Sequence, residues 1–390
     1  MALKFQLADR VRNLPPYLFA QIDALKRKAL SEGVDLIDLS IGDPDIPTPR
    51  HIVEAMKGAV EKPENHRYPS YEGMYQYRKA VADWYKRRFN VSLDPEHEVL
   101  SLIGSKEGIG HIPLAFVNPG DVVLVPSPGY PVYSIGTLFA GGESYFMPLR
   151  EENRFLPDLE AIPAEVAKRA KLLFINYPNN PTSAVTDEDF FKRVIEFAKK
   201  FNIIVCHDAA YSEIYFDNKR PVSFLSVDGA MEVGIEFHSL SKTYCMTGWR
   251  IGFAAGNRDV IAGLGKIKTN LDSGVFQAIQ EAAIVALNTP EDKLAELRRT
   301  FQERRDSLLE GLSGTPLRVI KPEATFYVWA RVPQGYSSQD FVKEMLEKAH
   351  VLATPGVGFG EAGEGYVRFA LTASVERIKE ASERIKRIWR

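Results

Sequence analysis

The stretch KLLFINYPNNPTSAVTDEDFFKRVIEFAKKFNIIVCHDAAY, residues 171–211, decides the fold. It opens with a short apolar run, KLLFINYP (171–178), and closes with another, NIIVCHDAAY (202–211). Apolar runs of this length, bounded by turn residues, suit strands buried on both faces. Between them Phe190, Val194, Phe197 and Phe201 recur at helical spacing. Thr186, with Asp189 three residues on, reads as the N-cap of that helix. The segment is therefore a strand–helix–strand unit.

Working outward, DVVLVPSP (121–128), GIEFHSLS (234–241) and RIGFAAG (250–256) are three more such runs. Several units in a row imply an α/β fold, a mostly parallel sheet with helices on both faces. The C-terminal third reads differently. PEDKLAELRRTFQERRDSLLE (290–310) is a long charged amphipathic helix, followed by TFYVWARV (325–332), a helix near 338–349, YVRFALT (366–372) and a last basic helix from about 374. These form a smaller α+β domain. The expected division is an N-terminal arm, 1–45, packed on the small domain, a large domain, 46–285, and the small domain, 286–390.

The bulk numbers set limits. The chain has 390 residues, 45% hydrophobic and 26% charged, with a net charge of −2 and a pI near 6.4. Nothing in that balance points to a nucleic-acid or membrane-surface partner. Two cysteines, Cys206 and Cys245, argue against a disulfide scaffold and for a reducing, cytoplasmic setting. The N-terminus lacks the apolar run of a signal peptide, and no stretch of about 18 apolar residues offers a membrane span.

Candidate chemistry gathers where the runs end. In EFHSLSKTYCMTGWRIGF (236–253), Lys242 follows an apolar run, with the hydroxyls of Ser239 and Ser241 before it and Arg250 after it. A lysine nucleophile must shed its proton near neutral pH, which burial or a nearby cation achieves. Arg250 and the two serines suit a phosphate. Alone, the stretch fits a surface-loop lysine equally well. Elsewhere, Gly104, Ser105 and Lys106 start a helix, where free N–H groups bind anions. Asp208 ends a buried run and needs a cationic or donor partner. Tyr211 follows three residues later. Asn180 sits in an Asn/Pro turn that is also explicable as only a turn. Tyr130 and Tyr133 offer an aromatic face for a flat ring, or core filling. An amine, phosphate donors, an acid for a ring nitrogen, donors for a ring oxygen and a stacking ring together meet the needs of pyridoxal 5′-phosphate.

These motifs, SLSKTYCMTGWRIGF, YPNNPTSA, HDAAY and VRFALT, resemble over nearly the whole length the fold-type I pyridoxal-phosphate aminotransferases of class I/II. The resemblance implies these roles. Lys242 bonds the cofactor aldehyde and then shuttles a proton, Asp208 keeps the ring nitrogen protonated, and Tyr211 and Asn180 bond the ring oxygen. Ser105, Lys106, Ser239 and Arg250 hold the phosphate, with Tyr68 reaching the phosphate of a partner subunit. Tyr130 stacks on the ring. Arg368 clamps the substrate carboxylate and Gly42 closes that site. No metal ligands are implied, and the partners are small amino and 2-oxo acids.

Within the superfamily, LIGSKEGIGHIPLAFVNPGDVVLVPSPGYPVY and KTNLDSGVFQAIQEA resemble the branch that acts on LL-2,6-diaminopimelate with 2-oxoglutarate in lysine biosynthesis. There Lys106 faces the substrate, Asn270 enters from a neighbouring subunit, and Tyr17 and Glu72 contact the far end of the substrate. The alternatives are aspartate, alanine or aromatic amino acids as substrates, or a lyase on the same fold. The cross-subunit residues imply a homodimer with shared sites. Two positions depart from the family pattern. Ser183 replaces a glycine, which would cost about 1 kcal/mol if φ is positive. Cys245 replaces an asparagine and is expected to be a buried filler.

Overall fold

A computed structural model describes residues 5–15 and 18–389 of the chain. Its strands, in chain order, are β1 (Ile37–Asp38), β2 (Val99–Leu102), β3 (Val122–Ser127), β4 (Glu143–Pro148), β5 (Ala170–Asn176), β6 (Ile204–Asp208), β7 (Gly234–Ser239), β8 (Gly252–Gly256), β9 (Arg318–Ile320), β10 (Tyr327–Arg331), β11 (Val351–Leu352), β12 (Thr354–Pro355) and β13 (Tyr366–Ala370).

The opening segment forms adjacent parallel strands. β5 and β6 pair in register from Leu172↔Ile204 to Asn176↔Asp208. The helix Glu188–Phe201 crosses between them and buries Phe190, Phe191, Val194, Ile195 and Ala198. Each large apolar side chain buried there contributes about 1.5–3 kcal/mol. The N-cap is one residue later than the sequence reading placed it. The Asp187 carboxylate accepts from the Phe190 N–H, whereas the Thr186 hydroxyl is buried without a partner. A charged acceptor next to the exposed N–H groups of the first turn is favoured over a hydroxyl one residue farther out.

The large sheet has seven strands in the order β2-β8-β7-β6-β5-β3-β4. β8 runs antiparallel to both neighbours, and the remaining pairings are parallel. The residues of β2, β3, β7 and β8 are all buried, as expected for a sheet covered on both faces. β2 and β4 escaped the sequence reading. β2 is only four residues long, and β4 is an edge strand whose ESYFMP is mostly exposed or half-buried.

A second, antiparallel sheet has the order β12-β13-β10-β9. Its core joins Phe326, Val328 and Phe369 to Phe301, Phe341 and Ile385 from helices. The N-terminal segment belongs to this core. β1 pairs in parallel with β11, and Leu39 packs among the same residues. The chain beyond β1 then runs between the two sheets.

Candidate active site

Consecutive carbonyls of that connecting segment stitch the sheets together. Leu39 O accepts from the Ala370 N–H at 2.7 Å. Ser40 O accepts from Arg368 Nη2 at 2.7 Å and from Thr354 Oγ1 at 2.8 Å. Ile41 O accepts from Thr372 Oγ1 at 2.8 Å. Gly42 O accepts from Lys242 Nζ at 2.7 Å. A Cβ on Gly42 would fall 1.9 Å from Tyr327 Oη, so only glycine fits.

Lys242 lies in the short helix Leu240–Thr243, entered directly from β7 and capped by Ser239, whose Oγ accepts from the Ser241 N–H at 3.2 Å. Burial lowers its pKa from 10.5 to about 8, helped by Arg368 and Arg250 and opposed by Asp43. Its ammonium lies 5.6 Å from the centre of the Phe326 ring.

Asp208 ends β6, buried. Tyr133 Oη donates to its Oδ2 at 2.8 Å and the Ala210 N–H reaches Oδ1 at 3.4 Å. Burial raises its pKa against those two hydrogen bonds. No ion pair to it occurs among the described residues. A buried carboxylate held by neutral donors alone favours a cation at its open edge.

Arg368, in the middle of β13, is 2% exposed. It donates to Asn180 Oδ1 at 2.7 Å and to Ser40 O. Its guanidinium lies over the rings of Tyr327, 4.1 Å from the centre, and Phe359, 4.7 Å. Burial lowers its pKa, and its Nε is unpartnered. No carboxylate pairs with it among the described residues. A buried guanidinium stacked on aromatic faces with no anion is suited to take one from a ligand. Tyr211 Oη and Tyr327 Oη share a 2.9 Å hydrogen bond in the same wall.

The helix Ser105–Phe116 starts from Gly104 at φ +74. A Cβ on Gly104 would meet Arg250 Nη2 at 2.4 Å. The helix N-terminus and the Arg250 guanidinium are thus side by side, an anion site made of N–H groups and a fixed cation. Arg250 Nη1 also donates to Thr247 O at 2.8 Å. Lys106 and Tyr130 open into a cavity of about 450 Å³ with Glu107, His111, Leu114 and Phe139.

The remaining candidates lie apart from this cluster or outside it. Tyr68 is 92% exposed in the single chain. Asn270 Nδ2 donates to Lys266 O at 2.8 Å, and Glu72 accepts from Ser70 at 2.8 Å. Neither bonds to the Lys242 cluster. Tyr17 lies outside the described residues. Ser183 does have positive φ, 61°. Cys245 is buried, and burial pushes its thiol up to about 12, so it is a poor nucleophile. Glu107, His111 and Asp272 bring oxygen and nitrogen atoms close together. The buried Lys268 ammonium sits among them, 2.8 Å from Asp272 and 3.2 Å from Glu107, and supplies the cation.

Sequence reasoning missed the roles of Tyr133, Tyr327, Ser40 and Thr354. Tyr133 had a signal. A phenol following a buried strand must find a partner, and Asp208 is the acceptor.

Known proteins resemble this chain over nearly its whole length. The family model for aminotransferase class I and II matches residues 34–385. LL-diaminopimelate aminotransferase of Aquifex aeolicus is 58% identical over 98% of this chain and 99% of its own. That of Moorella thermoacetica is 60% identical over 98% of both chains. Among solved structures, substrate-bound BacF from Bacillus subtilis aligns with a TM-score of 0.94 at 39% identity, covering 99% of this chain and 98% of its own. An aspartate aminotransferase mutant from Thermus thermophilus aligns at 0.92 and 30% identity, covering 99% of this chain and 100% of its own. On the family match over residues 34–385 and the near-60% identity to these relatives over almost the full length, the chain belongs to the class I and II aminotransferase family.

Proposed function

We propose that the protein is a pyridoxal-phosphate-dependent aminotransferase that interconverts LL-2,6-diaminopimelate and 2-oxoglutarate with tetrahydrodipicolinate and glutamate, in lysine biosynthesis. The observation that carries the chemistry is the pairing of a depressed lysine, Lys242, with a buried arginine, Arg368, that has no anion of its own. Near-60% identity over the full length to enzymes named for diaminopimelate supports the substrate. The proposed enzyme is a cytoplasmic homodimer, divided into the arm, large and small domains at 45 and 285. Among the described residues, no helix is long and apolar enough to cross a membrane.

The residues present fit the cofactor. Asp208 is a buried carboxylate without a cation, suited to a protonated ring nitrogen. Gly104, the Ser105 and Lys106 N–H groups, Ser239 and Arg250 would hold a phosphate. Ser241 Oγ, buried and unpartnered, is a further donor on the same turn. Tyr211 and Asn180 would bond the ring oxygen, and Tyr130 would stack on the ring. Bound there, pyridoxal phosphate supplies an aldehyde for the amino group and a ring that accepts the electron pair released at the substrate Cα.

The chain's own groups do the rest. Lys242, whose pKa burial holds at about 8, well below the ordinary lysine value, would take the Cα proton and pass it to the carbon that carried the cofactor's aldehyde. The Gly42 carbonyl fixes the direction of Nζ. Arg368, stacked between Tyr327 and Phe359 and steadied by Asn180, orients the substrate carboxylate in two-point fashion.

The test has two parts. The purified protein with cofactor should absorb in the near-UV or visible, and the band should vanish in Lys242→Ala. A panel of amino donors with 2-oxoglutarate should then rank LL-diaminopimelate first. Aspartate, alanine or an aromatic amino acid used tenfold better would overturn the substrate. Release of pyruvate and ammonia in place of glutamate would indicate a lyase.

A further inference from the structure

Ser183 stands in a turn at φ +61, where a residue with a Cβ is strained by about 1 kcal/mol. Its N–H bonds to Asn179 O at 2.9 Å. Its hydroxyl reaches across to the small sheet, 2.8 Å from Tyr327 O and 2.8 Å from Thr325 Oγ1. Counting protons fixes the directions. A carbonyl only accepts, so Ser183 donates its one proton to Tyr327 O, and Thr325 donates to Ser183. Thr325 Oγ1 in turn accepts from the Tyr327 N–H at 3.0 Å. The three residues close a ring of directed hydrogen bonds, and all are buried.

Thr325 itself has φ +66. A β-branched residue in the left-handed region is an outlier that persists only where its surroundings hold it. The ring and the Thr325 N–H bond to Ile214 O at 2.8 Å are those surroundings. Beyond the ring, the Tyr327 ring supports Arg368 and its hydroxyl bonds Tyr211. Asn180, three residues before Ser183, bonds Arg368 directly. One turn therefore grips β10 through Ser183 and β13 through Asn180.

We propose that Ser183 is a positioning residue, whose hydroxyl pins the start of β10 to the Asn180 turn and so fixes Tyr327 against the face of the Arg368 guanidinium, leaving the N–H edge to the carboxylate. The hydroxyl makes a fastening between the sheets that a glycine at this position could not make.

The experiment compares Ser183→Gly and Ser183→Ala with the wild type. Glycine adopts φ +61 without strain, so that variant keeps the fold while losing the hydroxyl. Exchange of the Tyr327 amide hydrogen, measured on the protein without substrate, should quicken about tenfold in both variants. KM for amino and oxo acids should rise about tenfold, with kcat within about twofold, because only carboxylate binding is loosened. Unchanged Tyr327 exchange and KM in both variants would overturn the proposal. So would faster exchange spread evenly over β9, β10, β12 and β13, which would mark general loosening. The KM readout rests on the aminotransferase reading and the exchange readout does not. Failure of that reading shows separately, as no turnover in the wild type.

Discussion

Ser40 and Gly42, two residues apart, present their carbonyl oxygens to two cations of the site, Arg368 Nη2 and Lys242 Nζ, each at 2.7 Å. The carboxylate clamp and the reactive amine are thus registered against one short segment that belongs to neither sheet. Any displacement of that segment moves both groups together.

Gly42→Ala makes this measurable. The added Cβ would lie 1.9 Å from Tyr327 Oη, so the segment or the ring must shift. Overpacking of this kind costs about 1–3 kcal/mol. The expected outcome is a raised KM together with a kcat lowered at least tenfold, since both cations lose register. A variant with kcat and KM within twofold of wild type would show that the two carbonyls do not set the geometry.

The depressed lysine has a consequence for stability. The pKa of Lys242 is about 8 in the fold and near 10.4 in the unfolded chain. Between those values the unfolded chain binds more protons, so stability rises with pH across that window, and the penalty is full below pH 8. Lys242→Met removes the buried charge. In the cofactor-free protein it should stabilise by up to about 3 kcal/mol at pH 7, less whatever the lost bond to Gly42 O contributed. The gain should shrink steadily from pH 8 to 10.5 in denaturant titrations. A difference constant over pH 7–10.5 would mean that Lys242 titrates normally.

Asp208 works in the opposite sense. Burial raises its pKa and the Tyr133 hydrogen bond lowers it. Tyr133→Phe keeps the ring stacked on Phe174, 4.8 Å between centres, and removes only the hydroxyl. The carboxylate should then protonate at higher pH. Cofactor affinity should weaken about tenfold at neutral pH, and its fall on acidification should begin at higher pH than in wild type. In an Asp208→Asn background the same change should do nothing further, a result that equilibrium dialysis can check. An equal loss in that background would make Tyr133 a packing residue only.

How far the sequence carried can be judged from particular residues. β3, β5, β6, β7 and β8 were legible because strands buried on both faces are dominated by apolar residues. β4 was not, since an edge strand has no such requirement. Lys242 and Asp208 stood out as candidates because each follows or ends an apolar run with a group that costs energy to bury, whereas Arg368 came only from the resemblance of VRFALT to a family motif. Ser40 and Thr354 contribute through a backbone carbonyl and a hydroxyl, and no residue type advertises those in advance. Ser183 was visible as a departure, yet its partners Thr325 and Tyr327 lie more than 140 positions away. Spacing arguments work within one element and fail across such loops.

Tyr68 supplies the last prediction. It is almost fully exposed in the single chain, and so free to reach the site of a neighbouring subunit. If the sites are shared, Lys242→Ala and Tyr68→Ala damage different halves of each. Subunits carrying Lys242→Ala still offer Tyr68, and subunits carrying Tyr68→Ala still offer Lys242. Mixing the two under exchange conditions forms hybrid dimers, each with one intact site and one doubly damaged site. With random pairing half the dimers are hybrids, so activity should climb to about a quarter of wild type per subunit, above either variant alone. Sites built from one chain would gain nothing, and the activity of the mixture would equal the mean of its parts.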